Sequence, residues 1–293
     1  MKSIAERGIL ILATGHELYA KLAFNLALSI KANDRHIKVA MICDKKSVSC
    51  LTPTHLKYFD HLYEIPQACI TLGDQTHHFK AKTHLYDLTP FDKTLFLDAD
   101  TLFCPNRKIS WLFGELDEVN FSIPNNGYFD PLKNNKTTNG YLWWGDLPKI
   151  KDYYNLKNKM PQTNSTLIYF KKGETAEKIF KTANQIYCDN KAPKVRKKWG
   201  FADEFCFNVS MSLHNYLPHE LNWHPVYIHF IKSNIKELDI MQNYWAITNG
   251  GHTVSPVLIR IYNRLLNLYC TKNGIPDRFY HIDKSQVIPE RKP

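Results

Sequence analysis

The chain has 293 residues, and 44% of them are hydrophobic, which suffices for the core of one large α/β domain or two small ones and excludes an intrinsically disordered protein. The formal net charge of +10 favours an anionic partner: nucleic acid, an anionic membrane face or a phosphorylated ligand. The 7 cysteines are odd in number and form no Cys-x-x-Cys pair, so neither a disulfide framework nor a zinc site is indicated.

The beginning of the sequence carries no sign of export. Residues 1–7 are polar, and the apolar run that follows leads directly into a predicted strand. No apolar run approaches the length of a membrane-spanning helix. We therefore expect no transmembrane segment and a cytoplasmic location, which is the host cytoplasm if the protein is viral.

Strands and helices alternate along the first hundred residues. The predicted strands are residues 8–14, 37–44, 61–65 and 94–97, with helices at 18–31 and near 55–59. This alternation implies a parallel sheet that binds its ligands at the carboxyl ends of the strands. No Gly-x-Gly-x-x-Gly follows the first strand and no Walker loop occurs, which disfavours a dinucleotide-binding Rossmann domain and a P-loop enzyme.

Two carboxylates, Asp98 and Asp100, end the fourth strand with only Ala99 between them. Apolar residues resume at Leu102 and Phe103, so the two acids are flanked by core and must be paired or bind a cation. A turn at Ala99 lets both reach one ion, and ligation by carboxylates alone suits Mg²⁺ or Mn²⁺. The alternative is that the two acids cap the following turn.

The context of these acids resembles the donor site of glycosyltransferases with the GT-A fold. Residues 79–88 have the pattern of a basic amphipathic helix and residues 89–92 that of a turn, and both precede the apolar strand and Leu-Asp-Ala-Asp-Thr. The pattern is similar to the glycogenin-like family 8 enzymes and their bacterial lipooligosaccharide relatives. The resemblance implies an α/β, Rossmann-like GT-A fold with a mostly parallel central sheet flanked by helices. It also implies that Asp98, Ala99 and Asp100 bind the diphosphate of a sugar nucleotide through Mn²⁺ or Mg²⁺.

The resemblance covers residues 8–232 and suggests three segments. Residues 1–105 would form the sugar-nucleotide-binding half, and residues 106–254 the acceptor-binding half of the same domain. Residues 255–293 would be a C-terminal helical extension. An apolar stripe at residues 257–269 predicts an amphipathic helix there, which either docks on the core or lies at a membrane surface.

Further donor-binding residues follow from the same resemblance. Thr14 and nearby Tyr19 follow the first strand and Asp44 ends the second, at positions that hold the uracil and ribose in the family. The alternatives are core packing for Tyr19 and a helix cap for Asp44. Lys80 and Lys82 are expected to reach the diphosphate, unless their side chains are solvated.

Two aromatic or basic stretches are candidates for acceptor binding. Residues 127–162 interleave aromatic and basic side chains, which suits stacking on sugar or base rings beside phosphates, and Trp143 and Trp144 are the predicted contacts. The alternative is that the two tryptophans anchor a long loop on the core. Residues 191–198 form a basic run, in which Lys197 and Lys198 either track phosphates or belong to a solvated loop.

Two later stretches resemble elements that bear catalytic residues in the family. Asn164 stands where the family's Asn-(Ser/Ala)-Gly-(Val/Leu) strand contacts the transferred sugar, with Thr166 where the Gly is usual. Asp203 and Glu204 open an apolar helix as the family's Asp-Gln element does. The resemblance makes Asp203 catalytic and places Glu204 beside the acceptor, while a helix cap by Asp203 is the alternative or an additional role.

A histidine is the expected third metal ligand. His229 lies in a stretch that resembles the family's Val-His-Phe strand, although the following Lys-Ser-Asn departs from the family's continuation. His252 follows Gly251, whose backbone N–H can approach a phosphate, so both residues are assigned to the donor. We favour His229 as the ligand, with His252 as the alternative.

The sequence thus predicts a metal-dependent, retaining hexosyl- or pentosyltransferase that uses a nucleotide-diphosphate sugar, with UDP as the expected nucleotide. Two acceptors remain open: a hydroxymethylated base in phage DNA, and a glycan or lipid-linked oligosaccharide at a membrane surface. Outside this class, a basic nucleic-acid-binding module with a structural Asp-x-Asp is the alternative. A nucleotidyltransferase or nuclease would need a third carboxylate close by, and none stands at a convincing spacing.

Overall fold

The computed structural model describes residues 5–132, 147–189, 191, 196–197, 200–219, 226–228, 237–248 and 256–275. The strands are β1 (Ala5–Ala13), β2 (Lys38–Cys43), β3 (His61–Glu64), β4 (Thr71–Leu72), β5 (Gln75–Thr76), β6 (Phe91–Asp98), β7 (Thr101–Phe103), β8 (Phe121–Ser122), β9 (Asn125–Phe129), β10 (Met160–Thr163), β11 (Leu167–Lys171), β12 (Arg196–Lys197), β13 (Gly200–Phe201), β14 (Val226–Ile228) and β15 (Ala246–Thr248). The α-helices are α1 (Glu17–Asn33), α2 (Lys45–Val48), α3 (Pro53–Leu56), α4 (Leu85–Leu88), α5 (Ile109–Glu115), α6 (Leu147–Tyr154), α7 (Glu174–Cys188), α8 (Asp203–Leu213), α9 (Glu237–Asn243) and α10 (Pro256–Lys272). Two 3-10 helices span Gln67–Cys69 and His78–His84.

A six-stranded sheet in the order β3-β2-β1-β6-β11-β8 forms the centre of the fold. The first four of these strands run parallel, whereas β11 is antiparallel to both β6 and β8. Residues 94–97 of β6 are fully buried, as expected for an apolar strand that is covered on both faces. The predicted α/β class with a mostly parallel sheet is confirmed.

Helices cover both faces of this sheet, and each face has its own hydrophobic core. On one face α1 and α10 pack together, and Asn25 of α1 donates a hydrogen bond to the hydroxyl of Tyr262 of α10 (3.1 Å). On the other face α7 and α8 pack around Phe180 and Phe207. The C-terminal helix is therefore docked on the core, while the predicted segment boundaries at residues 105 and 254 stay a prediction.

A second, three-stranded sheet in the order β14-β15-β7 adjoins the end of β6. β7 starts directly after the turn that follows β6, and β15 pairs with it in antiparallel register, with Thr248 opposite Thr101. This pairing brings the C-terminal third of the chain to the two acids that the sequence singled out.

The segment before β6 differs from its prediction. In place of one amphipathic helix over residues 79–88, the 3-10 helix His78–His84 is followed by the single turn α4. Phe79 is 39% exposed, whereas Lys80 is 7% exposed, which inverts the expected pattern. The reason is that the Lys80 ammonium donates to the carbonyls of Ala68 (2.7 Å) and Thr71 (2.8 Å), so its charge is satisfied inside the fold. None of the helices in the described part of the chain combines the length and apolarity that crossing a bilayer requires.

Candidate active site

The two predicted metal-binding acids lie at the carboxyl end of β6. Asp98 is the last residue of the strand, Ala99 and Asp100 form a turn, and β7 begins at Thr101. The backbone N–H of Asp98 donates to the carbonyl of Thr166 (2.9 Å), so the turn before β11 fixes the end of β6. The sequence prediction of a strand that ends in a turn at Ala99 is confirmed.

A buried lysine connects Asp98 to the start of α8. The Nζ atom of Lys82 lies 2.8 Å from Oδ1 of Asp98 and 3.5 Å from Oδ2 of Asp203. It also donates to the hydroxyl of Ser165 (3.0 Å) and lies 5.5 Å from the ring centre of Phe96. The side chains of Lys82 and Asp203 are 11% and 4% exposed, whereas that of Asp98 is 29% exposed. The cluster is thus closed on the Lys82 side and open to solvent at Asp98.

The charges of this cluster shift one another's pKa values. Burial alone would lower the pKa of Lys82, but the carboxylates of Asp203, Asp98 and Glu204 outweigh it and raise that pKa, so the ammonium stays charged. Burial raises the pKa of Asp98 to about 6; Lys82 counteracts this shift and the negative charge of Asp100 adds to it. The pKa values of Lys82 and Asp98 are thus set by burial and by the charges of the same cluster.

Asp100 is held from the second sheet. The hydroxyl of Thr248 on β15 donates to Oδ1 of Asp100 (2.9 Å). The charge of Asp100 also adds to the effect of burial in raising the pKa of the Tyr262 hydroxyl on α10. Two elements from the C-terminal third of the chain thus interact with this carboxylate, β15 by a hydrogen bond and α10 electrostatically.

Asp203 and Glu204 occupy the first turn of α8. Ala202 is the N-cap residue, so Asp203 is not the cap, although an acid in the first turn still suits the helix dipole. Oδ2 of Asp203 is buried and, within the described residues, accepts no hydrogen bond besides its ionic contact with Lys82. Burial and the adjacent Asp203 raise the pKa of Glu204. A buried carboxylate oxygen without a hydrogen-bond donor can accept a hydrogen bond from a ligand hydroxyl.

Asn164 lies in the turn that leads into β11. Its side-chain Oδ1 accepts from the backbone N–H of Thr166 (3.0 Å), and its backbone N–H donates to the carbonyl of Pro124 (2.9 Å). The side chain thus shapes the turn whose Ser165 contacts Lys82 and whose Thr166 contacts Asp98. Contact of Asn164 with a transferred sugar stays a prediction.

The residues predicted to hold the nucleotide lie at the ends of β1 and β2. Thr14 follows β1 and is 8% exposed. Oδ2 of Asp44 accepts from the backbone N–H of Gly15 (2.6 Å), and its Oδ1 caps α2 by accepting from Ser47 N (2.8 Å). Burial raises the pKa of Asp44, but these hydrogen bonds and the charge of His78 outweigh it and hold that pKa below its ordinary value. Asp44 is therefore a helix cap, and donor contact stays a prediction for it and for Thr14.

Two other predicted donor residues have structural partners. Tyr19 packs against the hydrophobic core on the α1 face, as its alternative interpretation expected. Lys80 holds the loop at residues 68–71 through the two carbonyls described above, whereas Lys82 binds Asp98. A donor role stays untested for both.

The structure describes only part of the predicted site. Lys197 lies in β12, where its backbone pairs with Gly200. The predicted residues outside the described part are Trp143, Trp144, Lys198, His229, Gly251 and His252. Within the described part, no three His, Cys, Asp or Glu side chains converge as metal ligands.

The chemistry of Asp98 and Asp100 nevertheless fits a hard divalent cation. Both offer carboxylate oxygens, and Mg²⁺-type ions are commonly held by one or two carboxylates together with substrate phosphates. Asp98 is also the more exposed of the two acids that contact Lys82, so a cation can approach it from solvent.

Three residues of this region were not singled out in the sequence. Ser165 adjoins Asn164, so the resemblance already pointed to its turn. His78 packs on Gly15, and an added Cβ on that glycine would lie 2.7 Å from its ring. Thr248 contacts Asp100 because β15 pairs with β7, which is far from it in the chain. No local sequence pattern predicts such a contact.

No protein-family model matches the chain, and no curated protein matches it. Solved structures do match. The bifunctional glycosyltransferase WbbM in its apo form superposes with a TM-score of 0.56 at 16% identity, over 90% of this chain and 50% of that chain. The chain therefore spans half the length of WbbM.

Two further structures match along most of their own lengths. Mouse xyloside xylosyltransferase 1 in its apo form gives a TM-score of 0.50 at 13% identity, covering 84% of this chain and 97% of that chain. The galactosyltransferase LgtC, solved with donor and acceptor sugar analogs, gives a TM-score of 0.50 at 12% identity, covering 82% of this chain and 86% of that chain. The chain therefore has the GT-A fold of these glycosyltransferases, in agreement with the resemblance to family 8 enzymes that its central strand suggested.

Proposed function

We propose that the protein is a metal-dependent glycosyltransferase that takes its sugar from a nucleotide-diphosphate donor, with UDP as the nucleotide. The observation that carries the proposal is the pair Asp98 and Asp100 at the tip of β6, beside the buried Lys82, in a GT-A fold. Solved structures with this fold include a galactosyltransferase and a xylosyltransferase, so hexosyl and pentosyl transfer both remain within the proposal.

Asp98 and Asp100 would hold Mn²⁺ or Mg²⁺ against the donor diphosphate, with His229 or His252 as a further ligand. When bound, the ion supplies Lewis-acid stabilisation of the negative charge on the leaving diphosphate. Asp98 and Asp100 contribute ionised oxygens, which requires that Asp98 has lost its proton. Lys82 keeps Asp98 oriented through their ion pair.

Asp203 and Asn164 are the residues that we assign to the transferred sugar. Oδ2 of Asp203, which accepts no hydrogen bond within the described residues, can accept one from a sugar hydroxyl. Glu204, whose pKa is raised by burial and by the adjacent Asp203, would hydrogen-bond to the acceptor. Transfer with retention of configuration, as in the family that the sequence resembles, requires no further base from the protein.

The acceptor that we favour is anionic, because the chain carries a net charge of +10. A hydroxymethylated base in phage DNA is the first candidate, in keeping with the predicted cytoplasmic location, and a glycan or lipid-linked oligosaccharide at a membrane surface is the second. Salt-sensitive binding to a DNA duplex but not to anionic vesicles supports the first, and the reverse supports the second.

A thermal-shift screen of sugar nucleotides, each with and without Mn²⁺, tests the proposal. We expect at least one UDP-sugar to raise the unfolding midpoint, and only when Mn²⁺ is present. No shift with any sugar nucleotide, together with metal-independent DNA binding, would instead identify a nucleic-acid-binding module whose Asp-x-Asp is structural.

A further inference from the structure

Thr248 is a buried threonine whose hydroxyl donates a hydrogen bond to a carboxylate of the candidate metal site. Its side chain belongs to the core of the second sheet, with the residue only 2% exposed. The hydroxyl donates to Oδ1 of Asp100 at 2.9 Å. A hydroxyl that donates to a carboxylate makes one of the stronger kinds of hydrogen bond.

The surrounding backbone fixes the direction of this hydroxyl. β15 pairs with β7 from Ala246 opposite Phe103 to Thr248 opposite Thr101, and Ala246 and Ile247 are each 1% exposed. A β-branched side chain on a buried strand has few rotamers available. Thr248 therefore holds Asp100 from a rigid element that is remote in sequence.

Thr101, directly opposite in the register, provides an internal comparison. It is also buried, at 0% exposure, and also carries a hydroxyl. Within the described residues its Oγ1 has no hydrogen-bond partner. Two threonines thus lie opposite each other in the same strand pair, and of the two only Thr248 donates a hydrogen bond to the carboxylate.

An oriented carboxylate binds a cation more tightly than one that rotates, because the ordering cost is already met in the folded protein. Outer-shell partners that fix a ligand typically change metal affinity by about 10–100-fold. The hydrogen bond from Thr248 to Oδ1 restricts rotation of the Asp100 carboxylate and so fixes the directions of both its oxygens.

We propose that Thr248 is a positioning residue that fixes Asp100 for a divalent cation, so that cation affinity depends on the Thr248 hydroxyl and not on the hydroxyl opposite it. The proposal rests on the proposed function, since that function assigns Asp100 to the metal.

The test compares Thr248→Val, Thr248→Ser and Thr101→Val with the wild-type chain. Mn²⁺ affinity is measured by electron paramagnetic resonance of the free ion, both alone and with UDP, and the urea unfolding midpoint is measured in parallel. We expect Thr248→Val to weaken Mn²⁺ binding about 10-fold or more. Thr248→Ser should restore most of the affinity, and Thr101→Val should leave it unchanged.

Equal Mn²⁺ affinity in wild type and Thr248→Val would overturn this inference alone. An equal loss in Thr101→Val would also overturn it, because that loss would reflect general damage to the strand pair. A wild-type chain that binds Mn²⁺ neither alone nor with UDP would overturn the proposed function, and this inference with it. If Thr248→Val does not fold, Thr248→Ala against Thr101→Ala replaces the pair, with the same outcomes.

Discussion

The Nζ atom of Lys82 lies 2.8 Å from Oδ1 of Asp98, and this ion pair joins the 3-10 helix before β6 to the tip of that strand. The same ammonium contacts Asp203 at the start of α8. A single buried cation thus sets the relative positions of three elements that surround the candidate site. The opposed acids would repel each other without it.

Replacing Lys82 should therefore destabilise the fold. Lys82→Met keeps the length of the side chain but leaves Asp98 and Asp203 facing each other without compensation. Breaking a buried ion pair in this way costs about 3 kcal/mol of unfolding free energy. Urea unfolding at pH 7 measures the change.

Lys38→Met is the matched control for this prediction. Lys38 also forms an ion pair, at 3.0 Å from Asp60, but its side chain is 52% exposed. Removing such a surface pair should cost less than about 1 kcal/mol. Similar losses of unfolding free energy in the two variants would show that the ion pairs of Lys82 contribute no more to stability than a surface pair does.

Gly15 should tolerate no side chain. Its φ of +89° disfavours any L residue, and an added Cβ would lie 2.7 Å from the ring of His78. We expect Gly15→Ala to lower the unfolding free energy by more than about 1 kcal/mol. Replacing His78 by Ala in the same chain should restore the steric part of this loss.

Gly73→Ala separates the backbone cost from the steric cost. Gly73 also has a positive φ, of +58°, but its Cβ position has no atom within 4 Å. Gly73→Ala should therefore lower the unfolding free energy only by the cost of placing an L residue at a positive φ, about 1 kcal/mol. A loss as large as that of Gly15→Ala would contradict the close packing of His78 on Gly15.

The free energy of unfolding should depend on pH through Asp60, which directly precedes β3 at the edge of the central sheet. Its carboxylate accepts from Lys31 Nζ (2.6 Å), from Lys38 Nζ and from the backbone N–H of Val39 (2.9 Å). Burial raises the pKa of Asp60, but these partners outweigh it and hold that pKa below its ordinary value. The folded state thus binds this proton more weakly than the unfolded state does.

Wild type should consequently have a higher free energy of unfolding than Asp60→Asn, and the difference should be complete above the pKa of Asp60 in the unfolded chain, about 3.9. The difference should disappear as the pH falls through the lower pKa of Asp60 in the folded protein. Urea unfolding of both proteins at pH 7, 5 and 3 measures the difference. A difference that stays constant down to pH 3 would be inconsistent with a lowered pKa at Asp60.

The local patterns of the sequence predicted the architecture well. β1, α1 and β2 have strong periodicity and needed no distant partner to be recognised, and their observed bounds differ from the predicted ones by a few residues. The end of β6 was equally clear, because an apolar strand followed by Asp98 and Asp100 has few structural interpretations.

The partners of the charged residues lay beyond the reach of the sequence. Lys80 and Lys82 are two positions apart, yet one is bound by carbonyls of a preceding loop and the other by acids of β6 and α8. Nothing in the spacing of these lysines distinguishes them. The contact of Thr248 with Asp100 likewise depends on a strand pairing that only the folded chain reveals.

The most direct test of the account is calorimetric titration of UDP, with and without Mn²⁺, into wild type, Asp100→Asn and Asp74→Asn. Asp74 is an exposed acid in the β4–β5 turn and serves as the control. We expect Mn²⁺ to strengthen UDP binding to wild type and Asp74→Asn, and Asp100→Asn to lose this Mn²⁺-dependent gain. UDP binding that is equally tight without the metal, or unchanged in Asp100→Asn, would contradict the proposed function.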